Sequence, residues 1–91
     1  MPSAGPVVVR IGNRRGLHAR ASARFVTVAS QFAATVTVAH GGHRVLGTSI
    51  MGLMMLGAAM GEEITLAAEG EDASAALAAL VALVESGFGE D

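Results

Sequence analysis

The sequence predicts an α+β fold, an open-faced β-sandwich in which a four-stranded, mainly antiparallel sheet is covered on one face by three helices. Segments rich in β-branched residues alternate with segments of helical periodicity in the order βαββαβα. The pair Gly41-Gly42 separates two strand segments, and paired glycines accept the positive φ angles of a two-residue hairpin turn. The chain has 91 residues, no cysteine and few aromatic residues, so aliphatic side chains must form the core of one small domain.

The N-terminal half contains three of the strands and the first helix. Val7–Ile11 is rich in β-branched residues, which favour strands. From Ala19 to Phe32, apolar residues recur at spacings of three and four, which predicts an amphipathic helix. Thr35–Ala39 alternates as a half-buried strand does, and Arg44–Leu46 is expected to return after the hairpin turn.

A methionine-rich helix and the fourth strand follow. Thr48 and Ser49 are favourable N-cap residues, and the apolar segment after them predicts a helix over Ile50–Met60. Gly61 is expected to end this helix, because glycine adopts the left-handed conformation found after many helices. Glu63–Ala67 alternates again and is predicted to be a strand.

A helix is predicted near the C-terminus and a flexible segment at the N-terminus. Asp72 is expected to cap a last helix over Ala73–Ser86, and Gly87-Phe88 resembles a Schellman ending in which Phe88 folds back on the helix. Residues 1–6, which contain two prolines, are expected to form a flexible leader in front of a domain spanning residues 7–91.

Charge and hydropathy exclude several classes of function. The formal net charge is −2, which argues against a general nucleic-acid binder. All six basic residues are arginines, and five lie between residues 10 and 24, so we expect a local positive field that attracts an acidic partner or an anion. The longest apolar run has eleven residues, fewer than the ~20 of a membrane span. The N-terminus lacks the pattern of a signal peptide, so a cytoplasmic protein is expected.

His18 lies where a loop gives way to a helix. A helix N-terminus offers unpaired N–H groups that hold anions, and Arg14, Arg15 and Arg20 are close enough in sequence to add guanidinium donors. A neutral imidazole has one nucleophilic nitrogen, so the ring can accept a phosphoryl group and pass it on, with the nearby donors stabilising its negative charge. From these residues alone, a second interpretation stays open, in which His18 is only an N-cap or surface residue.

Three segments resemble the HPr family of the bacterial phosphotransferase system. Gly16–Ser22 resembles the active-site signature, Thr48–Leu56 the regulatory-serine segment, and Gly61–Leu66 through Gly70–Asp72 the last strand and turn. The three segments occur in the family's order, and the similarity runs from about Val7 to the end.

This resemblance implies a phosphocarrier that is not an enzyme and needs no cofactor. His18 would accept a phosphoryl group on Nδ1 from enzyme I, itself charged by phosphoenolpyruvate, and donate it to an enzyme IIA-type protein. Arg20 would contact the phosphoryl group. The family usually has proline where this chain has Ala21, and since alanine retains an N–H, we expect an altered lifetime of the phosphorylated form.

The resemblance also assigns a regulatory serine and a docking surface. Ser49 matches the serine phosphorylated by HPr kinase/phosphorylase, although the preceding residue is Thr48 where the family usually has lysine. Ile50, Met51 and Met54 match the surface that docks partner proteins, and the nearby arginines, among them Arg24, would steer an acidic partner.

Some alternatives remain at this stage. The chain could belong to the nitrogen-type regulatory branch, which has no sugar permease downstream, or be an interaction module that is never phosphorylated.

His40 and His43 flank the hairpin turn without a thiolate or carboxylate nearby, so we expect exposed turn residues and no metal site. A monomer without membrane insertion is expected.

Overall fold

The structure, a computed structural model, describes residues 1–90. Its regular elements follow the predicted order βαββαβα, and a short 3₁₀ turn over Gly87–Gly89 comes after them. They are β1 (Ser3–Arg10), α1 (Ala19–Ala29), β2 (Thr35–His40), β3 (His43–Leu46), α2 (Ile50–Leu56), β4 (Glu63–Glu69) and α3 (Ala73–Glu85). Within residues 1–90, no helix is long and apolar enough to cross a membrane.

The strands form one open sheet in the order β1-β4-β2-β3, and all neighbouring strands are antiparallel. Val38 of β2 lies opposite Leu66 of β4, and both side chains are fully buried on the face that the helices cover. Phe25 of α1, Leu53 of α2 and Leu80 of α3 are also fully buried and belong to the same core cluster. The predicted open-faced α+β sandwich is confirmed.

The hairpin between β2 and β3 turns at the predicted glycines. Gly41 and Gly42 have φ angles of 56° and 83°, which fit a type I′ turn. The strands pair up to the turn itself, where His40 lies opposite His43. Because a type I′ turn matches the twist of antiparallel strands, these two glycines fix the register of the hairpin.

The first strand begins at Ser3 and not at Val7. Ala4 pairs with Ala68 of β4, and the register shifts between Ala4 and Val7, where Pro6 lies. A strand at the edge of a sheet tolerates proline at such an irregularity, because no ladder hydrogen bond is required there. Residues 3–6 therefore belong to the sheet and not to the predicted flexible leader.

Two helices end earlier than predicted. Helix α1 ends at Ala29 and not at Phe32. After Ala29 the backbone makes hydrogen bonds between residues three apart, as in a 3₁₀ turn, and the last of them is donated by the Phe32 N–H. Helix α2 ends at Leu56 and not at Met60, because Gly57 adopts the left-handed conformation, with a φ of 67°. Gly57, and not Gly61, is the glycine that terminates α2.

The C-terminal segment is held by one buried aromatic ring. Asp72 precedes α3 as predicted, but its carboxylate accepts a hydrogen bond from the Ala33 N–H (2.8 Å) and none from α3. After α3, Gly87 adopts the left-handed conformation and the Phe88 side chain is completely buried. The sequence predicts that Phe88 can fold back on α3, and in the structure its ring lies in the core cluster. Glu90, two residues later, reaches His18 at the N-terminus of α1.

Candidate functional site

His18 is the N-cap residue of α1, and its ring makes two hydrogen bonds. Nδ1 accepts from the Arg20 N–H at 3.3 Å, as an N-cap side chain does. Nε2 lies 2.7 Å from Oε2 of Glu90. A carboxylate only accepts, so Nε2 carries the hydrogen, and Nδ1 keeps its lone pair because it accepts the Arg20 N–H. The network thus favours the neutral tautomer in which Nδ1 is the nucleophilic nitrogen.

The loop before His18 is fixed by backbone contacts. The Leu17 N–H donates to the Ala58 carbonyl at 3.0 Å, and the side-chain amide of the buried Asn13 donates to the Gly16 carbonyl at 2.8 Å. Gly16 has a φ of 63°, and a Cβ atom at this position would lie 2.4 Å from the Ala58 carbonyl oxygen. Only glycine fits this turn, and the turn sets the position from which the His18 backbone enters α1.

Glu90 is a site residue that the sequence did not indicate. Its second carboxylate oxygen, Oε1, accepts from the Asn13 side-chain amide at 3.1 Å. Desolvation opposes ionisation of this carboxyl, but the hydrogen bonds from Asn13 and His18 and the positive charge of Arg20 outweigh it, so the pKa of Glu90 lies below its ordinary value. At neutral pH the group facing Nε2 is therefore a carboxylate.

The arginines predicted to hold an anion surround this ring. Arg14, Arg15 and Arg20 line, with His18 and Glu90, an open cleft of about 410 Å³. Guanidinium groups bind phosphate oxygens through paired N–H donors, and the N-terminus of α1 adds backbone N–H groups and a partial positive charge. The structure thus brings together His18 and Arg20, the two residues assigned to the acceptor site.

Arg24 has a different position from the arginines of the cleft. It lies on the exposed side of α1 one turn after Arg20, and its Nη1 donates to the Phe88 carbonyl at 2.8 Å. This hydrogen bond ties the C-terminal turn to α1. Sequence reasoning did not foresee this contact, which lies two residues before Glu90.

Ser49 and the apolar residues after it lie at the start of α2, which packs against α1. Ser49 Oγ accepts from the Gly52 N–H at 3.0 Å, so Ser49 is the N-cap residue. Ile50, Met51 and Met54 are exposed, with Met51 at 68%. Met55 is more exposed still, at 80%, and belongs to the same surface, although the resemblance did not assign it. We call Ile50, Met51, Met54 and Met55 the methionine surface.

His40 differs from the predicted exposed turn residue. Its Nδ1 lies 3.0 Å from the Leu56 carbonyl oxygen and its Nε2 lies 3.3 Å from Oε1 of Glu62, so the ring joins β2 to the end of α2. Sequence reasoning missed Glu62 because it is 22 residues away along the chain. His43 is exposed as expected. Within residues 1–90, no three His, Cys, Asp or Glu side chains are grouped closely enough to hold a metal ion.

Comparisons with known proteins agree on one family. The family model described as the phosphorylation site of the PTS HPr component matches residues 7–86. Phosphocarrier protein HPr of Neisseria meningitidis serogroup B is 50% identical over 82 residues, which cover 90% of this chain and 92% of that protein. Phosphocarrier protein NPr of Shewanella violacea is 45% identical over 82 residues, 90% of each chain. The crystal structure of HPr-C-His from Thermoanaerobacter tengcongensis superposes with a TM-score of 0.90 at 44% identity, covering 100% of this chain and 99% of that one.

Proposed function

The chain belongs to the HPr family of phosphocarrier proteins of the phosphotransferase system, and from this we propose that His18 carries the phosphoryl group on Nδ1. The group comes from phosphorylated enzyme I and passes to an enzyme IIA-type protein. The observation that carries the proposal is the state of the His18 ring, in which the lone pair of Nδ1 lies at the N-terminus of α1 while Nε2 is held by Glu90.

The transfer requires positioning and charge stabilisation but little else. The Nδ1 lone pair attacks phosphorus, an N–P bond forms, and the bond to the donor breaks with its electron pair leaving on the donor. The Arg20 N–H, which now donates to Nδ1, is released to donate to a phosphoryl oxygen. The guanidinium groups of Arg14, Arg15 and Arg20 line the cleft on this side and stabilise the negative charge of the phosphoryl oxygens.

The methionine surface is the proposed docking site for both partners. Exposed methionines adapt to different partner surfaces, and α2, which carries them, packs against α1, whose N-cap residue is His18. The arginines around the cleft attract an acidic partner to this part of the protein, and Arg24, one turn after Arg20 on α1, adds to the positive charge. We propose that the carrier works as a monomer, since His18, Arg20 and Glu90 of one chain already line the same cleft.

Ser49 is the proposed regulatory site. A phosphate on Oγ would stand at the N-terminus of α2 and place about two negative charges beside Ile50 and Met51. Charge of that size on an apolar docking surface weakens association with an acidic partner. Incubation with HPr kinase/phosphorylase and ATP tests this, with Ser49→Ala as the variant that must lose the phosphate and Thr48→Ala as the one that must keep it.

The branch of the phosphotransferase system is a separate question. Relatives called HPr and NPr are similar to this chain to nearly the same degree, which supports keeping a nitrogen-branch regulatory carrier as the second candidate. Transfer of labelled phosphate to enzyme IIA proteins of the sugar and the nitrogen type distinguishes the two. The protein of the correct branch must discharge the carrier faster.

Loading by enzyme I tests the main proposal. The protein is incubated with phosphoenolpyruvate and enzyme I from the same genome, and acid-labile phosphate is measured. We expect loading of the wild type and of His43→Ala, which changes an exposed histidine outside the cleft, and none of His18→Ala. If the wild type takes up no phosphate, the chain is better described as an interaction module that is not phosphorylated. If His18→Ala still takes up phosphate, another residue is the acceptor and the proposal for His18 fails.

A further inference from the structure

The hydrogen bond between His18 and Glu90 lies on the side of the ring that the proposed chemistry does not use. Nδ1 and Nε2 point away from each other across the imidazole, so the carboxylate at Nε2 does not cover Nδ1, whose hydrogen-bond donor is the Arg20 N–H. The O···N distance of 2.7 Å is in the range of charge-assisted hydrogen bonds. Glu90 can therefore stay in place before, during and after the transfer of a phosphoryl group at Nδ1.

The fold places this carboxylate by several independent contacts. Phe88 has a φ of 58°, a left-handed conformation that bulky L residues adopt rarely, and its ring is fully buried. Arg24 holds the Phe88 carbonyl, and the Glu90 N–H donates to the Gly87 carbonyl at 3.0 Å. A strained backbone persists only where its surroundings over-determine it. The C-terminal turn is thus a fixed support for the carboxylate and not a tail that meets the ring by chance.

Each carboxylate oxygen of Glu90 has its own donor. Oε2 faces Nε2 of His18, and Oε1 accepts from the Asn13 side-chain amide. Asn13 is only 2% exposed and also donates to the Gly16 carbonyl, so the loop that leads into His18 and the carboxylate that faces its ring share one support. This arrangement resists rotation of the imidazole, because the ring is held at both nitrogens.

The charge of the ring changes when it takes up a phosphoryl group. The neutral ring has Nε2–H and the Nδ1 lone pair; when that pair forms the N–P bond, the ring becomes a cation that still carries Nε2–H. Arg14, Arg15 and Arg20 face the same cleft, and their positive charges oppose a cationic ring. Glu90 is the carboxylate that faces it, since the other acidic residues of the described chain lie outside the cleft lining.

From these contacts we propose that Glu90 is a positioning residue of the carrier, which fixes Nδ1 as the acceptor and stabilises the cationic phosphohistidine by pairing with Nε2–H. This inference rests on the proposed function of His18. On transfer to the next protein the N–P bond breaks, its electron pair returns to Nδ1, and the ring is neutral again with the same hydrogen on Nε2. The ring then needs no proton from water in either direction, because Glu90 holds the same N–H throughout.

The test compares Glu90→Gln with Glu85→Gln, which removes the same charge from an exposed position at the end of α3. Each protein is equilibrated with phosphoenolpyruvate, pyruvate and enzyme I, and the loaded fraction is measured. We expect the equilibrium constant for loading to fall roughly tenfold in Glu90→Gln. A hydrogen bond to a charged group is more stabilising than one between neutral groups, by an amount that corresponds to about one factor of ten in an equilibrium constant. Glu85→Gln should match the wild type.

A second measurement separates positioning from a loss of stability. The ³¹P resonance of the phosphorylated protein is followed with pH, because it reports when Nε2 loses its proton. In Glu90→Gln this transition must move to lower pH, whereas partial unfolding would reduce the signal at all pH values without moving the transition. If the wild type loads and Glu90→Gln shows the same transition pH and the same equilibrium constant, the inference is overturned and the proposed function still stands. Failure of the wild type itself to load overturns both.

Discussion

Replacement of Gly16 by alanine tests how the loop holds His18. The backbone of Gly16 is left-handed, and a Cβ atom there would lie 2.4 Å from the Ala58 carbonyl oxygen and 2.9 Å from the Ala59 Cα atom. Both neighbours are backbone atoms, so no side-chain rotation relieves the contact. The Ala58 oxygen also accepts the Leu17 N–H, so moving it weakens the contact that positions the next residue, His18.

The expected cost has two parts. A left-handed non-glycine residue costs about 1–2 kcal/mol. Displacing packed backbone to admit a methyl group costs about 1–3 kcal/mol, so Gly16→Ala should lower the free energy of unfolding by about 2–5 kcal/mol in total. Gly12→Ala is the matched control in the same loop, because no atom lies within 4 Å of a Cβ at Gly12. That change should stay within about 1 kcal/mol of the wild type.

Urea denaturation followed by circular dichroism measures both variants. Gly16→Ala should shift the midpoint to lower urea without changing the slope, and the folded fraction should load from enzyme I more slowly, because His18 is displaced. Equal stability of Gly16→Ala and Gly12→Ala would show that the close approach of Gly16 to Ala58 does not position the loop, and the account of the site would fail at that step.

Four further outcomes follow from the same contacts. Ser49→Ala should lose about 1 kcal/mol of stability, since Ser49 Oγ caps α2, while Thr48→Ala stays near the wild type in the same urea titration. Phe88→Ala should cost about 3–5 kcal/mol, because the ring is fully buried, and a loss below 1 kcal/mol would contradict its role in holding the C-terminal turn. Ala21→Pro removes a backbone N–H from the first turn of α1, so its phosphorylated form should hydrolyse faster than the wild type; identical rates would refute this. The pKa of Glu90 is lower in the folded protein than its ordinary value, so its carboxylate contributes stability that is complete above that ordinary value and disappears as the pH falls through the folded value. The difference in unfolding free energy between the wild type and Glu90→Gln should therefore vanish in acid, and a difference that persists at low pH would mean that charge is not its source.

The sheet and its hairpin could be predicted because their signals are local. Alternation along Thr35–Ala39 and Glu63–Ala67 and the Gly41-Gly42 pair determine which side chains face the helices, and each lies within a few neighbouring residues. Helix ends were less predictable, because two glycines, Gly57 and Gly61, follow α2 and only the backbone shows that Gly57 terminates it. Pro6 misled the prediction for the N-terminus, since an irregular edge strand accommodates it.

The site itself was predicted only in part. His18 and Arg20 lie in one continuous motif, so local sequence was sufficient to identify them. Glu90 contacts His18 across 72 positions of sequence, and Asn13 contacts Glu90 across 77. No local pattern encodes such contacts, because they depend on the packing of Phe88. The acidic character of Glu90 was the one signal in the sequence, and the distribution of charge along the chain does not indicate that Glu90 contacts the arginine-rich segment.

The most direct test of the central claim is to observe the phosphoryl group on one atom of the carrier. The ¹⁵N-histidine-labelled protein is loaded with phosphoenolpyruvate and enzyme I, observed by ³¹P and ¹⁵N NMR, and then mixed with an enzyme IIA protein. We predict that a single phosphorus signal coupled to Nδ1 of His18 appears on loading and disappears when the enzyme IIA protein is added. A phosphorus signal on Nε2 or on another residue, or a His18 signal that no enzyme IIA protein discharges, would contradict the claim that His18 carries phosphate between the two partners.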